Sequence, residues 1–189
     1  MKGRNLLKVQ KGDYDMEVGV ELRRAAAPAW MRSMERTTAF LGAIVAVAHP
    51  ATFATGRQCV RAIGESDQVA KTENLGDLMK IWSSPFTTVS LMSNRDTPPH
   101  RDVGAAYTCM DLLVSVGTYT SGEFKVPGLG LTLWYRPGTV IGLLGRVVRH
   151  EAAANGARLC FAQYLRETVL DTLQVPRPDW VKIQDILQT

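Results

Sequence analysis

Three residues are of types that together make metal chemistry: His100 and Asp102 in Pro98-Pro99-His100-Arg101-Asp102, and His150 in Val148-Arg149-His150-Glu151. In an extended segment, residues two apart point to the same side, so His100 and Asp102 offer an imidazole and a carboxylate to one point. His150, about fifty residues further on, adds a second imidazole near the end of a late strand. Two imidazoles and one carboxylate on one face of a metal leave the opposite face open, which is the ligand set of non-haem Fe(II) oxygenases. The open face then holds a bidentate co-substrate and O2 together. Arg158 lies eight residues past His150, after an Asn155-Gly156 turn. A hairpin there returns its guanidinium to the same barrel, where it can pair bidentately with the distal carboxylate of 2-oxoglutarate. Zinc in a cupin-like barrel is the competing reading of the same ligands. His-x-Asp alone is common, so the weight rests on order, spacing and strand context. His49, the third histidine, precedes Pro50 at a helix end and reads as a capping or packing residue.

The elements that must position these residues fall into two textures. Leu6–Val9 and Met16–Val20 predict short strands around a Lys11-Gly12-Asp13 turn. Ser33–Ala48 predicts a helix with Ser33 as N-cap, ended by His49-Pro50. Ala51–Ile63 predicts a second helix, and Leu75–Lys80 a short one. From Trp82 the chain turns β-branched, with strands expected at Phe86–Met92, Tyr107–Tyr119, Gly122–Val126, Leu131–Tyr135, Thr139–Leu144, Val147–Glu151 and Arg158–Leu165. Gly, Pro, Asn and Ser punctuate them, as in a sandwich or barrel. Glu167–Leu173 predicts a closing helix. The fold class is α+β: a mostly helical lead-in over 1–81 and a β-barrel core over 82–173, one domain across 1–189.

Composition narrows the class. The chain of 189 residues is 46% hydrophobic and 21% charged, enough for a real core, and its net charge of +4 permits nucleic-acid binding without requiring it. Cys59, Cys109 and Cys160 are an odd, scattered set. They argue against a disulfide framework or zinc ribbon and for reduced intracellular thiols. Met1–Gln10 has no apolar core behind its basic residues, and the longest apolar run, Ala39–Ala48, is too short to span a bilayer. These features predict an intracellular protein with no membrane partner.

Several stretches, taken together, resemble a known family: Ser93-Asn-Arg-Asp-Thr-Pro-Pro-His-Arg-Asp102, Met110-Asp-Leu-Leu-Val-Ser-Val-Gly117, Pro127-Gly-Leu-Gly130, Tyr135-Arg-Pro-Gly-Thr-Val140 and His150. They resemble the TET/JBP-like 2-oxoglutarate dioxygenases, in particular the branch expanded in mushroom-forming fungi alongside transposons. Ile44-Val-Ala-Val-Ala-His-Pro50 with Gly56-Arg57 resembles that group's helical lead-in. The resemblance covers roughly Ser33 to Leu173, and Asn94–Asp102 is its most specific part.

The resemblance implies a double-stranded β-helix of the jelly-roll, cupin-like kind, with N-terminal helices packed on one sheet. It implies Fe(II) and 2-oxoglutarate as cofactors, O2 as co-substrate, and DNA with methylated bases as partner in the nucleus. The implied reaction oxidises a methyl group on 5-methylcytosine or N6-methyladenine. Carried onto this sequence, His100, Asp102 and His150 are iron ligands and Arg158 holds the distal carboxylate of 2-oxoglutarate. Arg95 and Asn94 match positions that contact 2-oxoglutarate, and Tyr164 or Arg166 reaches the base. A flipped base needs an aromatic neighbour, for which Tyr107, Tyr119, Trp134 and Phe161 are candidates. Arg95, Arg101, Arg146, Arg149 and Arg166 are candidates for phosphates. Two features depart from the family. Cys160 stands where a Ser often follows the arginine by two, and Val103-Gly104-Ala105-Ala106 replaces a polar base-contacting position. Two alternatives follow: hydroxylation of a protein or small molecule, or a catalytically silent transposon-associated nucleic-acid-binding module.

Overall fold

The computed structural model describes residues 4–5, 7–9, 16–18, 20–72 and 74–186. Its first long helix, α1 (Ala27–Ala48), begins a turn and a half before Ser33. The Ala-rich stretch is itself a strong helix former, and Pro28 sits in the first turn, where a missing N–H costs nothing. Ser33 is therefore inside the helix, its hydroxyl donating to the Trp30 carbonyl at 2.7 Å, and is not the N-cap expected. His49 closes α1 and opens α2 (Pro50–Glu65): its Nδ1 accepts the Thr52 N–H at 3.1 Å. Burial holds its pKa below the ordinary histidine range, so the imidazole is neutral and free to accept. The capping role read from the sequence is the one observed. Two short helices follow, α3 (Gln68–Lys71) and α4 (Leu75–Ile81).

Strands β1 (Arg4–Asn5), β2 (Leu7–Val9) and β3 (Met16–Val18) lie ahead of the helices. β2 and β3 lie within the two short strands expected and pair antiparallel; the Lys11–Asp13 turn lies outside the described residues. The β-core runs β4 (Thr88–Ser93), β5 (Thr97–His100), β6 (Asp111–Gly117), β7 (Ser121–Val126), β8 (Leu131–Trp134), β9 (Val140–Leu143), β10 (His150–Asn155) and β11 (Arg158–Tyr164). Helices α5 (Glu167–Leu173) and α6 (Ile183–Ile186) follow. Two antiparallel sheets result, ordered β1-β4-β11-β6-β9 and β5-β10-β7-β8. Leu113, Phe124, Ala152, Cys160 and Ala162 from both sheets share one core with Tyr135 between them. Leu41, Val45, Cys59 and Leu170 from α1, α2 and α5 pack on the outer face of the five-stranded sheet, against Leu112 and Val114. This is the double-stranded β-helix with helices on one sheet.

Three expectations are corrected here. Tyr107 and Tyr119 lie outside the strand between them, which is only Asp111–Gly117. The strand expected at Val147–Glu151 begins at His150, because residues 145–148 are spent on the turn out of β9. Most consequentially, β10 and β11 are not a hairpin. Asn155 pairs with Ser121 in one sheet while Arg158 pairs with Gly117 in the other. The chain changes sheets at Gly156, whose φ of +118° and closeness to Tyr119 (3.0 Å from any Cβ placed there) favour glycine.

The three cysteines are buried and unpaired. Burial pushes the Cys59 thiol up to about 12 and Cys109 to about 11, so neither is a nucleophile at neutral pH. Among the described residues no helix is long and apolar enough to cross a membrane.

Candidate metal centre

Antiparallel pairing of β5 with β10 sets His100 directly opposite His150, their ring centroids 4.4 Å apart. Each ring is aimed by its own backbone. His100 Nδ1 lies 2.9 Å from the Pro98 carbonyl, and His150 Nδ1 lies 2.9 Å from the Val148 carbonyl. A carbonyl only accepts, so each Nδ1 carries the proton and each Nε2 keeps its lone pair. Both Nε2 atoms face Asp102: His100 Nε2 is 3.4 Å from Oδ1 and His150 Nε2 is 3.6 Å from Oδ2. The Asp102 N–H bonds the Gly145 carbonyl at 3.0 Å, which ties the loop after β5 to the turn before β10. One ligand atom from each of the three residues lies within 4.8 Å of the others.

Burial holds His150 below the ordinary histidine range, opposed by the Val148 carbonyl and by Asp102. A neutral imidazole is the metal-binding form. Phe124 stacks on its ring at 5.5 Å and fixes its plane. Two oriented imidazoles and one carboxylate converge without any lysine or arginine paired to Asp102 among the described residues. That donor set fits Fe(II) with its remaining positions open.

Across the sandwich, Arg158 opens β11 and is 3% exposed. Its guanidinium lies 5.3 Å from the Tyr135 ring centre, Nη2 reaches the Arg95 carbonyl at 3.4 Å, and Nη1 has no partner. No carboxylate pairs with it among the described residues. A buried, half-satisfied cation is costly, and it fits an incoming carboxylate such as the distal one of 2-oxoglutarate.

One cavity of about 310 Å3 contains all four of these side chains in its lining, together with Tyr164 and Arg166. Along β11 the alternate residues Arg158, Cys160, Ala162 and Tyr164 face it, Arg158 at one end and Tyr164 at the other. Other expected site residues lie elsewhere. The Asn94 side chain accepts the Arg158 backbone N–H at 2.7 Å, and its own N–H bonds the Arg158 carbonyl at 2.8 Å. Arg95 offers Arg158 its carbonyl, with its side chain exposed. Both residues thus hold Arg158 in place and neither lines the cavity, because the turn after β4 directs them behind it. Tyr107 sits outside, 5.8 Å from the Trp180 ring and 5.8 Å from the Arg146 guanidinium. Tyr119 is buried on Ser115, Phe161 packs toward the helices and Trp134 is exposed on β8, so none of the three lines the cavity. Of the arginines proposed for phosphates, Arg101 and Arg166 reach the cavity wall.

The sequence reading missed Asp111. It opens β6, faces the cavity and is 2% exposed, with neither carboxylate oxygen hydrogen-bonded. Burial first, and Asp102 second, hold it well above the usual carboxylate range, opposed by the backbone N–H of Gly145 beside it. A Cβ on Gly145 would stand 2.4 Å from Asp111 Oδ2 and 2.6 Å from Asp102 Oδ2, so any side chain there displaces one carboxylate. An acid heading the apolar run Leu112-Leu113-Val114 was the available clue.

Comparison with known proteins adds the following. Residues 23–167 match the Tet_JBP family, described as the oxygenase domain of the 2OGFeDO superfamily. The structure is similar to that of NgTET1 in complex with 5mC DNA, at 10% identity over 98% of this chain and 67% of that chain, with a TM-score of 0.61. A likeness also exists to hydroxypropylphosphonic acid epoxidase from S. wedmorenis, at 14% identity over 43% of this chain and 44% of that one, with a TM-score of 0.32. No curated protein matches in sequence.

Proposed function

Since the chain belongs to the Tet_JBP family of 2OGFeDO-superfamily oxygenases and so uses Fe(II) and 2-oxoglutarate, we propose that it modifies DNA by oxidising a methyl group on a nucleobase. The base is 5-methylcytosine in the first instance and N6-methyladenine in the second. The structural likeness to NgTET1, crystallised with 5mC DNA, supports this reading.

In it, His100 Nε2, His150 Nε2 and an Asp102 oxygen hold the iron, and Arg158 receives the distal carboxylate of 2-oxoglutarate. When bound there, iron and 2-oxoglutarate would supply the oxidising power for the reaction, O2 being reduced as 2-oxoglutarate is converted to succinate and CO2. The chain's own residues do the rest. Pro98 and Val148 carbonyls keep both imidazoles in the metal-binding tautomer. Asn94 and the Arg95 carbonyl fix the Arg158 anchor. Phe124, Leu113 and Met92 line the cavity with apolar surface and keep it dry. Tyr164 and Arg166, at the far end of β11, meet the substrate. A base in duplex DNA must leave the stack to enter such a cavity. Arg101 and Arg166 at its wall suit the phosphates that flank the extruded nucleotide. The same reading predicts a nuclear location.

The observation that carries the proposal is the meeting, in one small cavity, of an oriented His-Asp-His set and a buried arginine lacking a carboxylate partner. At about 310 Å3 the space suits one small co-substrate and one planar base, at the lower end of ordinary ligand pockets. The test is nucleoside mass spectrometry after incubating methylated duplex DNA with the protein, Fe(II), 2-oxoglutarate and ascorbate. Oxidised 5-methylcytosine or N6-methyladenine is the expected product. Succinate release with no modified base would move the substrate to a protein or small molecule.

A further inference from the structure

Resting on the nucleobase reading, we propose that Asp111 determines specificity by accepting a hydrogen bond from the exocyclic amine of the base in the cavity. Four observations lead there. Asp111 is almost fully buried, yet among the described residues no side chain hydrogen-bonds either of its oxygens. It is set in an apolar strand whose next residues, Leu112, Leu113 and Val114, are all buried. An unsatisfied buried acid of this kind is costly, so its retention calls for a partner that arrives with a ligand. It faces the cavity that holds the metal-binding residues. Finally, its carboxylate and that of Asp102 flank Gly145 closely enough, 2.4 and 2.6 Å from one shared point, to lie within about 5 Å of each other.

One carboxyl oxygen of Asp111 accepts whether or not the acid is ionised, so a ligand group that donates can complete it. 2-Oxoglutarate has no N–H or O–H at neutral pH, so it cannot supply that donor. The methylated bases can: 5-methylcytosine presents N4–H2 and N6-methyladenine keeps one N6–H, and acidic side chains are the usual acceptors for the cytosine amine. Geometry favours the match. In 5-methylcytosine the amine and the methyl sit on adjacent ring carbons. A residue that captures the amine beside Asp102 therefore brings the methyl next to the metal-binding site. Capture and alignment become one event, which is how positioning lowers a barrier.

The experiment crosses the residue with the chemical group. The iron- and 2-oxoglutarate-loaded protein is given two duplex oligonucleotides, identical except that the target is 5-methylcytosine or 5-methyl-2-pyrimidinone, which lacks the amine. The target stands opposite an abasic site, so pairing strength is equal in both. Loss of the amine is expected to lower kcat/KM about 10-fold in wild type, the cost of leaving one buried hydrogen-bonding group unpaired. In Asp111→Leu the two substrates should differ by less than about threefold, the signature of coupling in a double-mutant cycle. Asp111→Asn, which keeps an acceptor in the same volume, should fall between them and serves if the leucine variant fails to fold. Because each ratio is taken within one protein, general damage does not move it. An equal amine effect in wild type and both variants overturns the proposal. If that result comes with weakened Fe(II) binding, Asp111 is assigned to the support of Asp102. Wild type that oxidises neither oligonucleotide removes the nucleobase reading itself.

Discussion

The two sheets bring their shares of the site together under opposite physical conditions. The five-stranded sheet is sealed: helices cover its outer face, and Asp111–Ser115 of β6 are buried without a break. The four-stranded sheet is open: β8 is exposed along its whole length and β7 alternates between buried and exposed. Arg158 and Asp111 come from the sealed sheet, each an ionisable group with unsatisfied polar atoms in an apolar wall. His100 and His150 come from the open sheet, with Asp102 just beyond it, and the His100 and Asp102 side chains are each 35% exposed. The difference teaches that a rigid, sealed wall can hold polar groups unpaired until a ligand completes them, whereas a metal centre needs access. A sandwich with helices on one side provides both within one cavity.

The comparison breaks first at the open side. His150→Ala is expected to abolish iron-dependent conversion of 2-oxoglutarate to succinate, by about 100-fold or more, since even residues that only support metal ligands typically cost 10–100-fold. Retention of more than about a tenth of the activity would remove His150 from the ligand set. On the sealed side, Arg158→Met should raise the KM for 2-oxoglutarate about 30-fold or more, because a buried charge-assisted contact is lost. The same variant should raise the Tm of the cofactor-free protein, because an unpaired buried cation is replaced by an apolar chain of similar length. A fall in that Tm would show that Arg158 stabilises the empty fold and would weaken its reading as a ligand anchor.

Stability sharpens the contrast at smaller amplitude. Leu112→Ala, beneath the helices, should cost about 2–5 kcal/mol in urea unfolding, the range for a large-to-small change in a packed core. Leu133→Ala on β8, where the leucine is 42% exposed, should cost within about 0.5 kcal/mol. Similar losses at both positions would mean that the β8 edge of the open sheet is covered in solution.

The smallest effect is at His49. Its folded pKa lies below the unfolded value of about 6.5, so the unfolded chain binds the proton first. Its stabilising share is therefore complete above about pH 6.5 and is lost as the pH falls from there toward the folded pKa. Wild-type Tm should drop more steeply than that of His49→Asn between about pH 7 and 5.5, since asparagine caps α2 without titrating. Parallel slopes would show that the cap does not depend on the neutral ring.

Much of the scaffold was legible because it depends on local pattern. Glu167–Leu173 and the β-rich half announced themselves through periodicity and turn residues, and His49-Pro50 through the backbone restriction that proline imposes. The helix start was misplaced by six residues because a plausible cap at Ser33 competed with alanine propensity upstream, and propensity won. Asn94 and Arg95 were assigned to the co-substrate on motif position alone. Which way they point depends on the turn after β4, which hands them to Arg158 instead. Asp111 went unnoticed because nothing local separates an acid that starts a strand in water from one that starts it inside a cavity.

The sequence by itself determined the kinds of chemistry available: two histidines and an aspartate in ligand order, an arginine beyond them, and strands enough to carry both. Only the tertiary structure decided that these residues meet, because their meeting depends on which strands pair. Arg158 follows His150 closely in sequence yet belongs to the opposite sheet. His100 and His150, far apart in sequence, stand directly opposite each other. Strand partners are chosen by burying apolar faces against distant segments and helices, an energy spread over the whole chain and invisible in any window of it.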